Sequence, residues 1–179
     1  MKATTQTAKP YTARQLFFAL AWVLVLAKLM MLSQGAWAQT ISGTVVSVSD
    51  GDTVTLLTPE KRQIRIRVQG IDAPERSQAF GTVSRQAMAS MVFQKQVFAM
   101  CSSTDRYGRM ICVLNVQGQD AGLSLVTQGL AWHYKQYERE QTAQNRALYA
   151  QAEQYARSRK SGLWADPNAQ APWGYRRAK

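Results

Sequence analysis

Residues 63–68, with the sequence QIRIRV, alternate strictly between polar and apolar side chains. Successive side chains of a strand point to opposite faces, so Ile64, Ile66 and Val68 would share one face and the two arginines the other. This alternation is typical of a strand that buries one face and exposes the other to water. The segment therefore predicts a strand with its apolar face in the core and its arginines at the surface.

Four further segments have the composition of strands, at residues 41–49, 53–57, 95–101 and 109–116. Three segments have the composition of helices, at residues 82–94, 119–128 and 137–160. Short strands interleaved with helices favour a small closed sheet. The sequence therefore predicts an α+β fold over residues 39–165, a five-stranded OB-type β-barrel with three helices. Residues 166–179 predict an irregular basic tail.

The first 38 residues have the composition of a secretory signal peptide. Basic residues precede an apolar run at residues 16–27, no acidic residue occurs before Asp50, and AWA at residues 36–38 offers a small-residue cleavage site. The apolar run is shorter than the about 20 residues that span a bilayer. We expect cleavage near Gln39 and a secreted or periplasmic protein. An uncleaved membrane anchor is the alternative.

Residues 39–179 carry 18 Lys and Arg against 11 Asp and Glu, which gives a net charge of +7. A basic exported domain indicates a polyanionic partner, with nucleic acid first and an anionic membrane second. Many small basic proteins are merely soluble, so charge alone leaves both interpretations open.

The chain has two cysteines, Cys101 and Cys112. An even number of cysteines in an exported chain predicts a disulfide. The sequence has no CxxC motif, and His133 is its only histidine. These residues argue against a zinc site.

Two aspartates stand at the ends of predicted strands. Asp52 precedes the second strand and Asp72 follows the third. Carboxylates that converge from separate strands suit a hard, oxygen-seeking cation such as Ca²⁺, and Ala73 could add its backbone carbonyl. Glu75 would lie close without needing to be a ligand. The alternative is that both aspartates only shape turns.

Gly70 bears on whether Asp72 can reach Arg67. Five positions separate Arg67 from Asp72, so a straight strand would send the two side chains to opposite faces. Glycine permits a bulge or kink at this point. We therefore expect Gly70 to turn Asp72 toward the face that carries Arg67.

The segment TDRYGRM offers groups that suit nucleic acid. The guanidinium of Arg109 matches phosphate oxygens bidentately, Arg106 stands close to it, and the ring of Tyr107 can stack on a base. Tyr134 and Tyr137 are further candidates for substrate contact. The alternative for the segment is a polar hairpin turn.

Four ordered blocks of the sequence resemble the thermonuclease family, typified by staphylococcal nuclease. They are SVSDGDTVTL, RIRVQGIDAPE, TDRYGRM and LVTQGLAWHY. The segment AEQYARSRKSGLW is similar to the last helix of that family. The resemblance covers residues 41–165. It implies an OB-type barrel with three helices and a Ca²⁺-dependent nuclease that cuts DNA and RNA and leaves 3′-phosphates.

The resemblance also implies roles for individual residues. The metal ligands would be Asp52, Asp72 and Ala73, with Ala73 ligating through its carbonyl where the best-known member has threonine. The catalytic residues would be Arg67, Glu75 and Arg109, with the arginines on the phosphate and Glu75 as general base. The substrate contacts would be Arg106, Tyr107, Tyr134 and Tyr137. The loop between Glu75 and Gly81 is shorter than in the best-known member, and the segment after Trp164 extends beyond it.

DNA and RNA are the partners that the resemblance implies, and no stable protein partner is implied. Two other classes remain open, a non-catalytic OB-type nucleic-acid-binding module and a membrane-anchored DNA-binding accessory protein. The presence of all five charged site positions argues against the first. The second depends on whether residues 1–38 stay attached.

Overall fold

The structure is a computed structural model that describes residues 39–178. The predicted signal peptide and its cleavage site lie outside these residues. Between residues 39 and 178, no helix combines the length and apolar character needed to cross a membrane.

The described residues contain eight strands, β1 (Gln39–Val48), β2 (Thr53–Leu57), β3 (Gln63–Val68), β4 (Ile71–Asp72), β5 (Gln96–Thr104), β6 (Met110–Val116), β7 (Gln119–Asp120) and β8 (Trp132–His133). Five of them pair in the order β3-β2-β1-β5-β6, and parallel pairing of β3 with β6 closes the barrel. This confirms the predicted OB-type α+β fold.

Alternate residues of the barrel strands point into its core. Val97 and Ala99 of β5 are buried between exposed neighbours. In β3, Ile66 and Val68 are buried while Arg65 is exposed, as the alternation predicted. Burying one such aliphatic side chain stabilises the fold by about 1.5–3 kcal/mol. The pattern also leaves Arg67 on the outer face, where a cleft lies.

Four α-helices accompany the barrel, α1 (Gly81–Val92), α2 (Ala121–Thr127), α3 (Ala143–Ser158) and α4 (Pro172–Arg177). Two of them begin at side-chain caps. Asp120 accepts hydrogen bonds from the backbone N–H groups of Gly122 and Leu123, and Thr142 caps α3. Such caps satisfy N–H groups that a helix leaves without partners.

Two sequence predictions about the C-terminal third are wrong. Residues 137–160 are not one helix, because a 3₁₀ helix (Lys135–Glu140) is followed by extended backbone at Thr142 before α3 begins. The tail after Ala165 is not irregular throughout, because α4 forms there. Pro172 starts this helix, at a position where its missing N–H costs nothing.

Cys101 and Cys112 face each other on β5 and β6 and form a disulfide, as predicted. Both residues are buried. The bridge ties together the two strands of the hairpin that carries Arg109.

Candidate active site

All ten site residues predicted from the sequence line one cleft of about 880 Å³, namely Asp52, Arg67, Asp72, Ala73, Glu75, Arg106, Tyr107, Arg109, Tyr134 and Tyr137. The same cleft is lined by five charged residues that the sequence analysis did not assign to it, namely Asp50, Arg65, Asp105, Glu140 and Arg176. The fold thus gathers charged side chains of both signs around a single open space.

Asp52 is fixed at the cleft by the pairing of β2 with β3. Its backbone carbonyl accepts a hydrogen bond from the N–H of Val68 at 2.8 Å. Its Oδ2 accepts from the backbone N–H of Ala73 at 2.8 Å, and its Oδ1 accepts from the Thr53 hydroxyl at 3.0 Å. The residue is only 6% exposed, so these bonds hold a buried carboxylate in one orientation.

Asp72 enters the cleft after a turn at Gly70. Gly70 has a φ of +77°, in the left-handed region that favours glycine. A side chain at this position would also collide with Gln141. Beyond the turn, Asp72 is 1% exposed, and its Oδ1 lies 3.1 Å from Nη2 of Arg67. The structure therefore confirms that Asp72 turns toward the Arg67 face.

Arg67 spans the two aspartates. Its Nη1 lies 2.9 Å from Oδ2 of Asp52, and its Nη2 lies 3.1 Å from Oδ1 of Asp72. Nη1 also donates to the backbone carbonyl of Val68 at 3.3 Å. One guanidinium from the barrel wall thus holds two buried carboxylates side by side.

Arg109 reaches the same cluster from the β5–β6 hairpin. Its Nε donates to Oδ2 of Asp105 at 2.7 Å, and its backbone N–H donates to Oδ1 at 2.9 Å. Its Nη1 donates to the Thr53 hydroxyl at 3.3 Å, and that hydroxyl donates to Asp52. The sequence analysis missed Asp105, although its position four residues before Arg109, across a glycine turn, is a signal that could have indicated the pairing.

Glu75 lies at the edge of the cleft, beside the C-terminal helix. Its Oε1 accepts a hydrogen bond from Nη1 of Arg176 at 2.7 Å. The same guanidinium donates to both carboxylate oxygens of Asp72, at 3.2 and 2.8 Å. Sequence reasoning missed Arg176, since it lies 101 positions after Glu75 and no local pattern connects the two.

Burial is the largest effect on the pKa of two aspartates in the cleft, Asp50 and Asp72. It raises the pKa of Asp50 to about 7, with a further contribution from the charge of Asp52. Burial also raises the pKa of Asp72, although the hydrogen bond from Arg176 and the charge of Arg67 act in the opposite direction. The hydrogen bond to Asp72 in turn raises the pKa of the Arg176 guanidinium. Asp50 and Asp72 are therefore harder to ionise than free aspartates, and a positive charge beside them favours their ionised forms.

Three tyrosines lie around the cleft. Tyr107 is 64% exposed, and the Arg106 guanidinium lies 4.8 Å above its ring while donating to its hydroxyl at 2.7 Å. The rings of Tyr134 and Tyr137 lie 5.1 Å apart. Rings placed beside arginines suit the stacking of bases next to a bound phosphate backbone.

His133 and the tryptophans have structural surroundings. His133 is buried, and its Nε2 lies 2.9 Å from Oε1 of Gln141. Trp164 and Trp173 pack edge-on against Trp132, with ring centroids 4.3 and 5.5 Å apart. These contacts connect the C-terminal segment to β8.

The floor of the cleft offers donors that suit a hard cation. The donors are oxygens, two of the carboxylates are buried, and both already bind a cationic side chain, Arg67. Within residues 39–178, no group of three or more His, Cys, Asp or Glu side chains is placed to hold a metal. A cation at Asp52 and Asp72 would therefore need carbonyl, water or substrate oxygens to complete its coordination.

Comparison with known proteins gives a family match. The family described as "Staphylococcal nuclease homologue" matches residues 65–166. The matched range contains Arg67, Asp72, Glu75 and Arg109, whereas Arg176 lies beyond its end.

Individual relatives extend the similarity over most of the chain. A micrococcal nuclease of Shigella flexneri is 40% identical over 161 residues, which cover 85% of this chain and 89% of that protein. An uncharacterized endonuclease of Haemophilus influenzae is 43% identical over 133 residues, or 74% of this chain and 71% of that protein. Protein ParB of Escherichia coli is 39% identical over 157 residues, which cover 83% of this chain and 85% of that protein.

Proposed function

Since this chain belongs to the family of staphylococcal nuclease homologues and is a nuclease that hydrolyses phosphodiester bonds, we propose that it is an exported, calcium-dependent enzyme. Its proposed substrates are DNA and RNA, and its products carry 3′-phosphates. The observation that carries this proposal is the single cleft in which Arg67 spans Asp52 and Asp72.

Asp52 and Asp72 would hold the calcium ion. Each supplies a carboxylate, and the backbone carbonyl of Ala73 would be a third ligand. A bound calcium ion would neutralise phosphate charge and orient the attacking water. The buried position of both carboxylates supports this role, because a cation offsets the cost of keeping them ionised away from water.

Arg67 and Arg109 would bind the phosphate that is attacked. The Arg67 guanidinium approaches the carboxylate cluster from β3 and that of Arg109 from the loop of the β5–β6 hairpin, so a phosphate in the cleft would contact both. Planar guanidinium groups match phosphate oxygens bidentately. They would stabilise the charge that grows on the equatorial oxygens as the water oxygen bonds to phosphorus and the 5′ P–O bond breaks.

Glu75 would act as general base. Its carboxylate lies at the edge of the cleft, next to Asp72, and both share Arg176. It would take the proton of the attacking water as the new P–O bond forms. Tyr107, Tyr134 and Tyr137 would contact bases or sugars, with Arg106 on a neighbouring phosphate.

Export is supported by residues 1–38 and by the disulfide, since disulfides persist in oxidising compartments. Protein recovered outside the cytoplasm should begin near Gln39 when its N-terminus is sequenced. A full-length protein retained in the membrane would instead favour the membrane-anchored accessory protein.

The central experiment is cleavage of single-stranded DNA and of RNA with Ca²⁺, then with chelator, then with Mg²⁺. We expect cleavage with Ca²⁺ on both substrates, loss of cleavage with chelator, and 3′-phosphate ends on the products. Calcium titration of wild type and of Asp72→Asn should show binding only in the former. Cleavage that persists at full rate in chelator would contradict calcium dependence. If the protein binds DNA but does not cleave it with any divalent ion, the result would instead support the non-catalytic nucleic-acid-binding module.

A further inference from the structure

The C-terminal helix places a positive charge on the acidic groups of the site. Arg176 donates to Oδ1 of Asp72 at 3.2 Å, to Oδ2 of Asp72 at 2.8 Å and to Oε1 of Glu75 at 2.7 Å. Among residues 39–178, Arg176 is the only residue shown to contact both Asp72, a proposed metal ligand, and Glu75, the proposed general base. Its side chain is 44% exposed, whereas that of Arg67 is 14% exposed.

The hydrogen bonds at Asp72 leave little room for another cation. A carboxylate offers about four lone-pair sites. Arg176 takes one on each oxygen, and Arg67 takes another on Oδ1. Asp72 is 1% exposed, so water has little access to the rest. A metal ion that needs Asp72 must therefore compete with one of the two guanidinium groups.

Arg176 is the guanidinium that can leave. Arg67 belongs to β3, which is paired on both sides within the barrel. Arg176 belongs to α4, a helix of six residues. The helix is held by Trp173, whose ring stacks on Tyr134 at 5.3 Å, and by the Tyr175 hydroxyl, which donates to the Ser77 carbonyl at 3.2 Å. Trp173 also packs edge-on against Trp132 at 5.5 Å, and Pro172 is buried, but no residue of the helix belongs to the hydrophobic core of the barrel.

We propose that α4 is an internal competitor of the metal, with the Arg176 guanidinium occupying Asp72 and Glu75 until a divalent cation displaces it. The inference rests on the proposed calcium site. Displacement frees Asp72 to bind the cation and frees Glu75 to accept a proton from water. It also withdraws Trp173 from Tyr134, which opens one face of that ring to substrate.

The opposite role for Arg176 would be a third phosphate-binding group that assists calcium and substrate. The two roles predict different effects of Arg176 on calcium affinity. A competitor weakens calcium binding in the absence of nucleic acid, whereas an assisting residue does not. Calcium affinity measured without substrate therefore separates the two roles before any activity is assayed.

The test is calorimetric titration of Ca²⁺ into purified wild type, Arg176→Gln and Arg177→Gln. Arg177 is the matched control, because it carries the same charge on the same helix but faces the neighbouring cleft with Glu153 and Trp132. We expect Arg176→Gln to bind Ca²⁺ about tenfold more tightly than wild type, a coupling within the usual range between two sites. Arg177→Gln should bind like wild type.

Hydrogen exchange of the C-terminal peptide gives a second readout on the same proteins. In wild type, saturating Ca²⁺ should raise the exchange of residues 172–178, because the helix leaves its position. In Arg176→Gln, exchange should already be high without Ca²⁺. Trp173→Ala, which removes the stacking on Tyr134, should behave like Arg176→Gln in both experiments.

Two results would overturn the inference, and they are distinguishable. If wild type binds Ca²⁺ and Arg176→Gln binds it equally or more weakly, Arg176 is not a competitor. The proposed calcium site would still be supported in that case. If none of the proteins binds Ca²⁺, the calcium site and the inference fail together. Unchanged exchange of residues 172–178 on calcium binding would also reject displacement of the helix.

Discussion

The Asp105 carboxylate holds both the backbone and the side chain of Arg109, through a 2.9 Å bond to its N–H and a 2.7 Å bond to its Nε. The hydrogen bonds from Arg109 contribute to a lowered pKa of Asp105, although partial burial acts against them. Asp105 therefore stays ionised near neutral pH and acts as a positioning residue for Arg109. Its own carboxylate faces the arginine rather than the carboxylate cluster.

Asp105→Asn should lower kcat by about tenfold, less than the about 10²–10³-fold expected when a donor to developing charge is removed outright. The amide keeps the shape but gives Arg109 a weaker acceptor. Combining Asp105→Asn with Arg109→Ala should lower kcat little more than Arg109→Ala alone. Steady-state cleavage of single-stranded DNA in saturating Ca²⁺ would measure these losses. Fully additive losses would mean that Asp105 acts independently of Arg109.

Arg67→Ala should affect both catalysis and the stability of the metal-free protein. We expect kcat to fall about 10²–10³-fold, as for Arg109→Ala. Unlike Arg109, Arg67 bridges two buried carboxylates, so its removal should also lower the free energy of unfolding in chelator by about 3 kcal/mol. Calcium should restore much of that stability. Arg67→Lys should recover only part of the rate, because lysine cannot make the bidentate fork.

Arg65→Ala is the control for Arg67, since Arg65 lies two positions earlier on the same face of β3 and is exposed. It should cost far less activity and leave stability nearly unchanged. Equal losses of rate in Arg65→Ala and Arg67→Ala would show that only the positive charge of the cleft matters.

Glu75→Gln should separate chemistry from binding. The amide retains most of the volume and can still accept a hydrogen bond from Arg176, but it cannot take a proton from water. We expect kcat to fall by about 10²–10⁴-fold, the usual contribution of general-base catalysis. Affinity for a non-hydrolysed DNA, measured by fluorescence anisotropy, should stay close to that of wild type. Glu140→Gln, in the same cleft, is the matched control and should remain active. A Glu75→Gln enzyme that cleaves at the wild-type rate would exclude Glu75 as the base.

Local patterns were sufficient to predict the barrel, because alternation and turn residues reflect the burial of each strand. The bounds 53–57 and 63–68 agree with the structure, and the turn at Gly70 followed from the spacing between Arg67 and Asp72. Arg176 and α4 could not be predicted in this way. Their position depends on contacts with residues about a hundred positions earlier, and a short Pro-Trp-Gly-Tyr segment has no amphipathic period to indicate a helix.

The fold should also depend on a polar pair outside the cleft, the half-buried Asp120 and the buried Tyr149. Oδ1 of Asp120 caps α2, while Oδ2 accepts from the Tyr149 hydroxyl at 2.8 Å. Asp120→Ala should therefore lower the free energy of unfolding by about 2–4 kcal/mol, from the lost cap and the buried hydroxyl left without its acceptor. Urea denaturation would measure the loss. Thr142→Ala, which removes only the cap of α3, is the control and should cost about 1 kcal/mol.

A double-mutant cycle with Tyr149→Phe would isolate the hydrogen bond itself. We expect the Asp120→Ala and Tyr149→Phe variants to be coupled by about 1–2 kcal/mol, because removing either partner already breaks the bond. Independent, additive losses would show that Asp120 acts only as a helix cap.

Removing the disulfide should destabilise the barrel where it supports Arg109. Cys101 and Cys112 are directly paired on β5 and β6, with a sequence separation of 11. A bridge across so short a loop is expected to contribute about 2–3 kcal/mol to the free energy of unfolding. The Cys101→Ala/Cys112→Ala variant should lose that amount in urea denaturation. Reductant should lower the free energy of unfolding of wild type by a similar amount. The variant is the control, because reductant should not change its free energy of unfolding. Two free thiols in unreduced, exported protein would contradict the bridge, and so would a wild type that reductant does not affect.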